Sequence, residues 1–111
     1  MAVIRQASHM SDIERARKTL INRVLEGAGK VSREKRIAAF NNTGLVGSAS
    51  ALIDKVAKSS YKVTDADINT AKEAGLSEDQ IFELVVCAAI GQATRDYETA
   101  LVALASVNEE G

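Results

Sequence analysis

The last third of the chain restricts the fold more than any other part. The whole sequence lacks proline, so nothing interrupts a helix over residues 78–107. Such a helix is about 45 Å long. Within this helix, residues 81–90 carry a single charged side chain, Glu83. A helical stretch that is apolar on nearly all sides must be buried on more than one side. The sequence therefore predicts an all-α bundle built around a long C-terminal helix.

Capping motifs divide the rest of the chain into helices. Ser11, Thr64 and Ser77 each stand three residues before a Glu, Asp or Gln, which is the spacing of a capping box. Ser32 is a further candidate cap, and apolar residues recur at helical spacing between these starts. We predict about five helices, beginning near residues 11, 33, 48, 65 and 78.

The length of 111 residues suits one domain, which we assign to residues 11–111. Residues 1–10 end in Ser-His-Met, a typical vector junction, and we expect them to be a tag or a disordered terminus. His9, the only histidine, lies there and is given no catalytic role.

Charge is divided between the two halves of the chain. Residues 1–58 carry 11 Lys/Arg against 5 Asp/Glu, whereas residues 59–111 carry 3 against 10. We expect basic and acidic helices to face each other, within a subunit or between subunits. The alternative is a nucleic-acid surface on the basic half, but acidic residues interrupt it and no aromatic residue is interleaved. We therefore predict no nucleic-acid partner.

The cysteine content, the length of the apolar runs and the ligand-binding motifs indicate the compartment, the partners and the cofactors of the protein. One cysteine, Cys87, leaves no intrachain disulfide, and a reducing cytoplasm is the default location. No run of about 18 apolar residues is present, so we predict no membrane partner. Neither a glycine-rich phosphate loop nor a metal-ligand cluster occurs, and no cofactor or metal is predicted.

Small side chains indicate self-association. The chain has 18 Ala but only two Phe, two Tyr and no Trp, so a domain of this size has few bulky core residues. Within residues 81–93, a small-residue surface lets another backbone approach closely (Cys87, Ala88, Ala89, Gly91 and Ala93). We predict a homo-oligomer that assembles through residues 81–93.

The second half of the chain shows a recognisable order of segments. A helix with the sequence LIDKVAKSS leads through YKV into the helix DADINTAKEAG, and LSEDQI then opens the long last helix. This order, and the segment AGLSEDQI at residues 74–81, resembles the alkylhydroperoxidase-like family, also called the carboxymuconolactone decarboxylase family. The resemblance implies a helical bundle of that family's fold and homo-oligomeric assembly.

The family's redox chemistry is not implied, because its Cys-x-x-Cys-x-x-x-His motif is missing. Ser60 and Val63 stand where the two cysteines would be, and Asp67 stands where the histidine would be. Residues 40–86 contain neither Cys nor His. Peroxide reduction in the family needs a reactive thiolate and a resolving thiol. We predict that the chain is not a dithiol peroxidase.

The corner where the family keeps its active site still holds polar groups. Tyr61 and Asp67 are candidate acid–base residues, and Lys62 and Asp65 are candidate ligand contacts. The competing interpretation is that the aspartates cap the helix and that Tyr61 packs with its hydroxyl at the surface.

Two residues of the last helix complete the candidate set. Cys87 and Arg95 are candidate ligand contacts. Cys87 is more simply a small buried hydrophobe, with Glu83 raising its pKa. Arg95 could pair with Glu98 or Asp96.

Two functional hypotheses follow. The first is a non-redox, homo-oligomeric member of this family with a structural or small-ligand-binding role. The second is an acid–base enzyme of decarboxylase or lactone type that acts on a small organic acid through Tyr61 and Asp67.

Overall fold

A computed structural model describes the backbone of residues 2–110 and the side chains of residues 12–107. The described backbone is mainly helical and contains no strand. It forms α1 (Ala2–Glu26), α2 (Arg33–Asn41), α3 (Gly47–Ser59), α4 (Asp65–Glu73) and α5 (Glu78–Glu110), with a 3₁₀ turn at Ser60–Lys62. The predicted all-α fold of about five helices with a long C-terminal helix is confirmed.

Three predicted helix starts are confirmed by their cap hydrogen bonds. The Ser32 side chain accepts the amide of the third residue of α2. Thr64 and Asp67 form a complete capping box at the start of α4. At α5, the Ser77 hydroxyl accepts the Gln80 amide at 3.1 Å, and the Gln80 side chain accepts the Ser77 amide at 2.9 Å. Each cap accepts hydrogen bonds from backbone amides of the first helical turn, which have no acceptor within the helix.

The start of the first helix differs from the prediction. We expected α1 to begin at Ser11, but it begins at Ala2 and contains Ser11 in its interior. Residues 2–10 hold neither Gly nor Pro, so no residue of low helix propensity ends the helix before Ser11. The side chains of Ser11 and His9 lie outside the described residues. That residues 1–10 are a tag stays a prediction.

The buried residues all lie between Val31 and Gly91. We call this part the head and define it as residues 31–91, which include α2, α3, α4 and residues 78–91 of α5. Its core is made of small and medium side chains: Val31, Ala39, Leu52, Ile53, Val56, Ala57, Ala71, Ile81, Leu84, Cys87 and Ala88. The closest packing is at Gly91, where an added Cβ would lie 1.9 Å from the Phe40 carbonyl oxygen. A side chain at residue 91 would therefore collide with the backbone of α2.

The second part of the molecule is a helix pair that we call the stalk. It consists of residues 12–26 of α1 and residues 92–107 of α5, and none of its residues is buried. The two helices run antiparallel, because Cys87 contacts Val24 whereas Glu98 contacts Arg17. The radius of gyration is 17.1 Å, against about 13 Å for a compact domain of this length. The longest dimension, 57 Å, reflects the length of α5.

Among the described residues, three salt bridges join the basic half of the chain to the acidic half, and five join residues within one half. Salt bridges join Arg17 to Glu98, Lys30 to Asp79 and Lys55 to Asp67. Each bridge connects a residue before position 59 to one after it. These three ion pairs between the basic half and the acidic half therefore form within one subunit.

Candidate functional site

The predicted acid–base residues lie at the corner between α3 and α4, but they do not form a shared site. Tyr61 is 83% exposed in the 3₁₀ turn. The Lys62 ammonium lies 5.7 Å from the centre of the Tyr61 ring, a cation–π contact at the surface. Asp65 is exposed in the first turn of α4, where a negative charge suits the helix dipole. These positions agree with the capping interpretation for Asp65 and with an exposed Tyr61.

Asp67 is held by its neighbours in a structural arrangement. Its Oδ2 accepts the Thr64 amide at 2.9 Å and the Lys55 ammonium at 2.8 Å. The Lys55 hydrogen bond, followed by that of the Thr64 amide, lowers the pKa of Asp67. Both contacts stabilise the ionised carboxylate and so reduce its basicity. The capping role predicted for Asp67 is therefore seen directly.

Cys87 lies apart from this corner, in the core beneath the end of α1. Its side chain is 1% exposed, and its Sγ lies 3.8 Å from the Val24 carbonyl oxygen. Burial raises the pKa of the Cys87 thiol; Arg36 opposes this shift and Glu83 adds to it. The predicted effect of Glu83 is thus present, although it is smaller than the effect of burial. A protonated, buried thiol fits the interpretation of Cys87 as a small core residue.

Arg95 does not make the ion pairs that we considered for it. Its guanidinium donates to the Phe40 carbonyl at 2.6 Å and to the Gln92 side chain at 2.9 Å, while Glu98 pairs with Arg17 instead. Phe40 lies in the last turn of α2, whose carbonyls lack partners within the helix. Arg95, which lies on α5, therefore caps the C-terminal end of α2.

Glu83 is a structural residue whose role sequence reasoning missed. Its carboxylate accepts the Lys30 amide at 2.8 Å and the Val31 amide at 2.7 Å. Gly29 is packed against the same carboxylate, since an added Cβ would lie 2.7 Å from its Oε1. Glu83 thus anchors the loop between α1 and α2 to α5. The available signal was its position as the lone charge in an apolar stretch.

Arg36 makes a similar contact that the sequence did not predict. From α2 its guanidinium donates to the Gly27 carbonyl, with the Val24 carbonyl oxygen 3.5 Å away. These carbonyls stand at the end of α1. A cation is favourable there because the helix dipole is negative at its C-terminus.

Neither Tyr61 nor Asp67 lines any of three concave surfaces formed by the described residues. The smallest, about 150 Å³, lies over Cys87 and is bordered by Arg36 and Glu83. A second, about 310 Å³ and almost wholly apolar, lies between α1 and α5 in the stalk. The third, about 530 Å³ and open, lies along α1. These three surfaces therefore lie along or next to the stalk, away from the predicted corner.

In the part of the chain that the structure describes, no group of three or more His, Cys, Asp or Glu side chains is placed to hold a metal ion. No helix in that part is long and apolar enough to cross a membrane.

Comparison with known proteins gave no match among family models, curated proteins or solved structures.

Proposed function

We propose that the chain is a non-redox, homo-oligomeric helical protein with a structural or small-ligand-binding role. The observation that carries this proposal is an apolar stripe on α5 that the subunit itself leaves largely uncovered. We call it the α5 stripe, and it consists of Phe82, Val86, Ala89, Ala93, Tyr97, Ala100, Leu104 and Val107. Phe82 is 69% exposed and Leu104 is 58% exposed.

The stripe points away from the head's core. Ile81, Leu84, Cys87, Ala88 and Gly91 are buried against α2 and α3, whereas the α5 stripe follows the opposite side of the same helix. A contiguous apolar surface of this kind on a soluble domain is typical of an interaction site. The small-residue surface expected to meet a second subunit is in part occupied by the chain's own α2, at Gly91. The proposed subunit contact is therefore the other face of α5.

The oligomeric state tests the proposal. Light scattering at micromolar concentration should give at least twice the 11.8 kDa mass of one chain. Leu104→Glu places a charge in the α5 stripe and should shift the population toward monomer. Val102→Glu is the matched control, since Val102 is also exposed on α5 but lies on the other side of it. A monomer at every accessible concentration would refute the proposal, as would equal effects of the two variants.

Membership in the carboxymuconolactone decarboxylase-like family is part of the same proposal. The observed order of α3, the 3₁₀ turn, α4 and α5 supports it, because this is the order on which the resemblance rests. The non-redox role is supported by the single cysteine of the sequence and by its burial. A cytoplasmic location, supported by the same free thiol, completes the proposal.

The acid–base enzyme is the alternative proposal. It is supported by the position of Tyr61, Lys62, Asp65 and Asp67 at one corner of the head. The lowered pKa of Asp67 and the exposure of Tyr61 weigh against it. If it holds, Asp67→Asn should abolish turnover of a small organic acid while the protein remains folded. If a ligand binds equally well to that variant, the structural role is favoured.

A further inference from the structure

We infer that the partner of the α5 stripe is the α5 stripe of a second copy, running antiparallel to it about a two-fold axis at Ala93. This inference rests on the proposed homo-oligomer and adds its surface, its direction and its register.

The stripe is symmetric in position about Ala93. Phe82 and Leu104 are each 11 residues from it, Val86 and Ala100 are each 7, and Ala89 and Tyr97 are each 4. All lie within about 40° of Ala93 around the helix, because successive residues turn by about 100°. Antiparallel pairing about Ala93 therefore brings these seven residues opposite their counterparts, and it is isologous, as a two-fold interface requires. Val107, the last residue of the stripe, has Asp79 as its counterpart and lies at the edge of the proposed contact.

The side-chain sizes also fit this register. Val86 would meet Ala100, and Ala89 would meet Tyr97, so each of these pairs combines a larger side chain with a small one. Ala93 would meet Ala93 at the axis, where small residues allow helix axes to approach to about 8 Å. Parallel pairing would instead place Tyr97 against Tyr97 and Ala89 against Ala89. The two Tyr97 side chains would then clash and the two Ala89 side chains would leave a gap. Close-packed interfaces avoid both.

The α1 helix extends the same face. Leu20 lines both the concave surface along α1 and the apolar groove between α1 and α5, so the two surfaces are adjacent. The surface along α1 is otherwise lined mainly by polar residues, namely Asp12, Arg15, Thr19 and Arg23, and it would form the polar rim of the contact. A two-fold axis perpendicular to α5 places both α1 helices on one side of the α5 pair. The result is a four-helix arrangement of two antiparallel helix pairs. The apolar groove, which is open in one subunit, would then lie in the interior of the bundle.

The size of this face is sufficient for a specific dimer. Residues 82–107 span about 37 Å, residues 12–23 span about 17 Å, and each helix offers a strip about 10 Å wide. The two strips give about 500 Å² per copy, hence about 1,000 Å² in the pair. That area reaches the lower bound for specific interfaces, which is about 1,000 Å².

Disulfide trapping in a Cys87→Ala background tests the register. Ala93→Cys should form a covalent dimer with its own counterpart, because the two Cβ atoms meet at the axis. Phe82→Cys and Leu104→Cys should each crosslink poorly alone and well when the two proteins are mixed. Val46→Cys is the control, since Val46 is 83% exposed and lies outside the stripe. Trapping at Ala93 should be at least about tenfold faster than at Val46.

The outcomes separate this inference from the proposed function. A monomer at all concentrations would overturn both. A dimer that traps neither at Ala93 nor in the mixture of Phe82→Cys and Leu104→Cys would overturn the register while leaving the homo-oligomer intact. Self-trapping of Phe82→Cys alone, without a crosslink between residues 82 and 104 in the mixture, would indicate parallel helices and would also overturn it.

A charge at the axis gives a second, independent measurement. Ala93→Glu brings two carboxylates together in the dimer, and like charges in contact oppose association. The dissociation constant should rise by about tenfold or more, whereas Val102→Glu should change it by less than about threefold. Circular dichroism will show whether both variants keep their helices. Equal dissociation constants for the folded variants would contradict an axis at Ala93.

Discussion

Apolar residues recur at the same helical spacing in the head and in the stalk, but they are buried only in the head. In the head, α5 buries Leu84 and Cys87 against α2 and α3, and side chains from one helix close the ends of another. In the stalk no residue is buried, and Arg17 of α1 pairs with Glu98 and lies 5.0 Å from the centre of the Tyr97 ring. Periodicity thus identifies the apolar face of a helix but not the surface that covers it.

The largest expected effect is at Gly91, where the head begins and the stalk ends. Gly91→Val should lower the free energy of unfolding by about 4 kcal/mol or more, because its Cβ would collide with the Phe40 backbone. The melting temperature should then fall by more than about 15 °C. Ala103→Val, an exposed position in the stalk, is the control and should change stability by less than about 0.5 kcal/mol. Similar melting temperatures for both variants would mean that α2 and α5 are not in close contact.

The second comparison truncates one apolar side chain in each region. Ile53→Ala in the head removes a side chain that is 1% exposed and should cost about 2–5 kcal/mol. Leu104→Ala in the stalk should cost less than about 0.5 kcal/mol when the protein is dilute enough to be monomeric. Urea unfolding at matched concentrations measures both. Equal costs would show that the stalk is packed as tightly as the head, contrary to its exposure.

The smallest effect concerns Asp67 and depends on pH. Its pKa is lowered in the folded state, chiefly by Lys55, so its contribution to stability is present above the pKa of the unfolded chain, about 3.9. That contribution is lost as the pH falls through the lower folded pKa. The stability difference between the wild type and Asp67→Asn should therefore shrink below about pH 4, as followed by thermal unfolding from pH 7 to pH 2.

Asp65→Asn serves as the control for this measurement, because Asp65 is exposed and lies in the same helical turn. It should destabilise the protein less than Asp67→Asn at pH 7. A constant difference between wild type and Asp67→Asn over the whole pH range would argue that Lys55 and Thr64 do not hold the carboxylate.

Helix starts could be predicted where their cause is local. Thr64 and Ser77 satisfy amides three residues away, and the hydrogen bonds found are those that the spacing predicts. Ser11 has the same spacing, three residues before Glu14, but the residues before it are also helical. The helix α1 therefore does not begin at Ser11. A capping motif thus indicates where a helix can begin, whereas the residues before it decide whether one does.

The contacts that close the head could not be predicted, because they join residues far apart in sequence. Arg95 lies 55 residues from Phe40, and Glu83 lies 52 residues from Val31. Sequence spacing offered Arg95 nearer partners on its own helix, and none of them is used as an ion pair. For the candidate corner, residue types indicated acid–base chemistry, but only the fold places Lys55 on Asp67.

The anchoring of the α1–α2 loop by Glu83 also bears on how the protein is made. A chain leaves the ribosome from its N-terminus, so α1, the loop and α2 emerge well before residue 83. Until then the amides of Lys30 and Val31 lack their acceptor, and the ends of α1 and α2 can fray. The head can therefore close only late in synthesis, after the first turns of α5 are available.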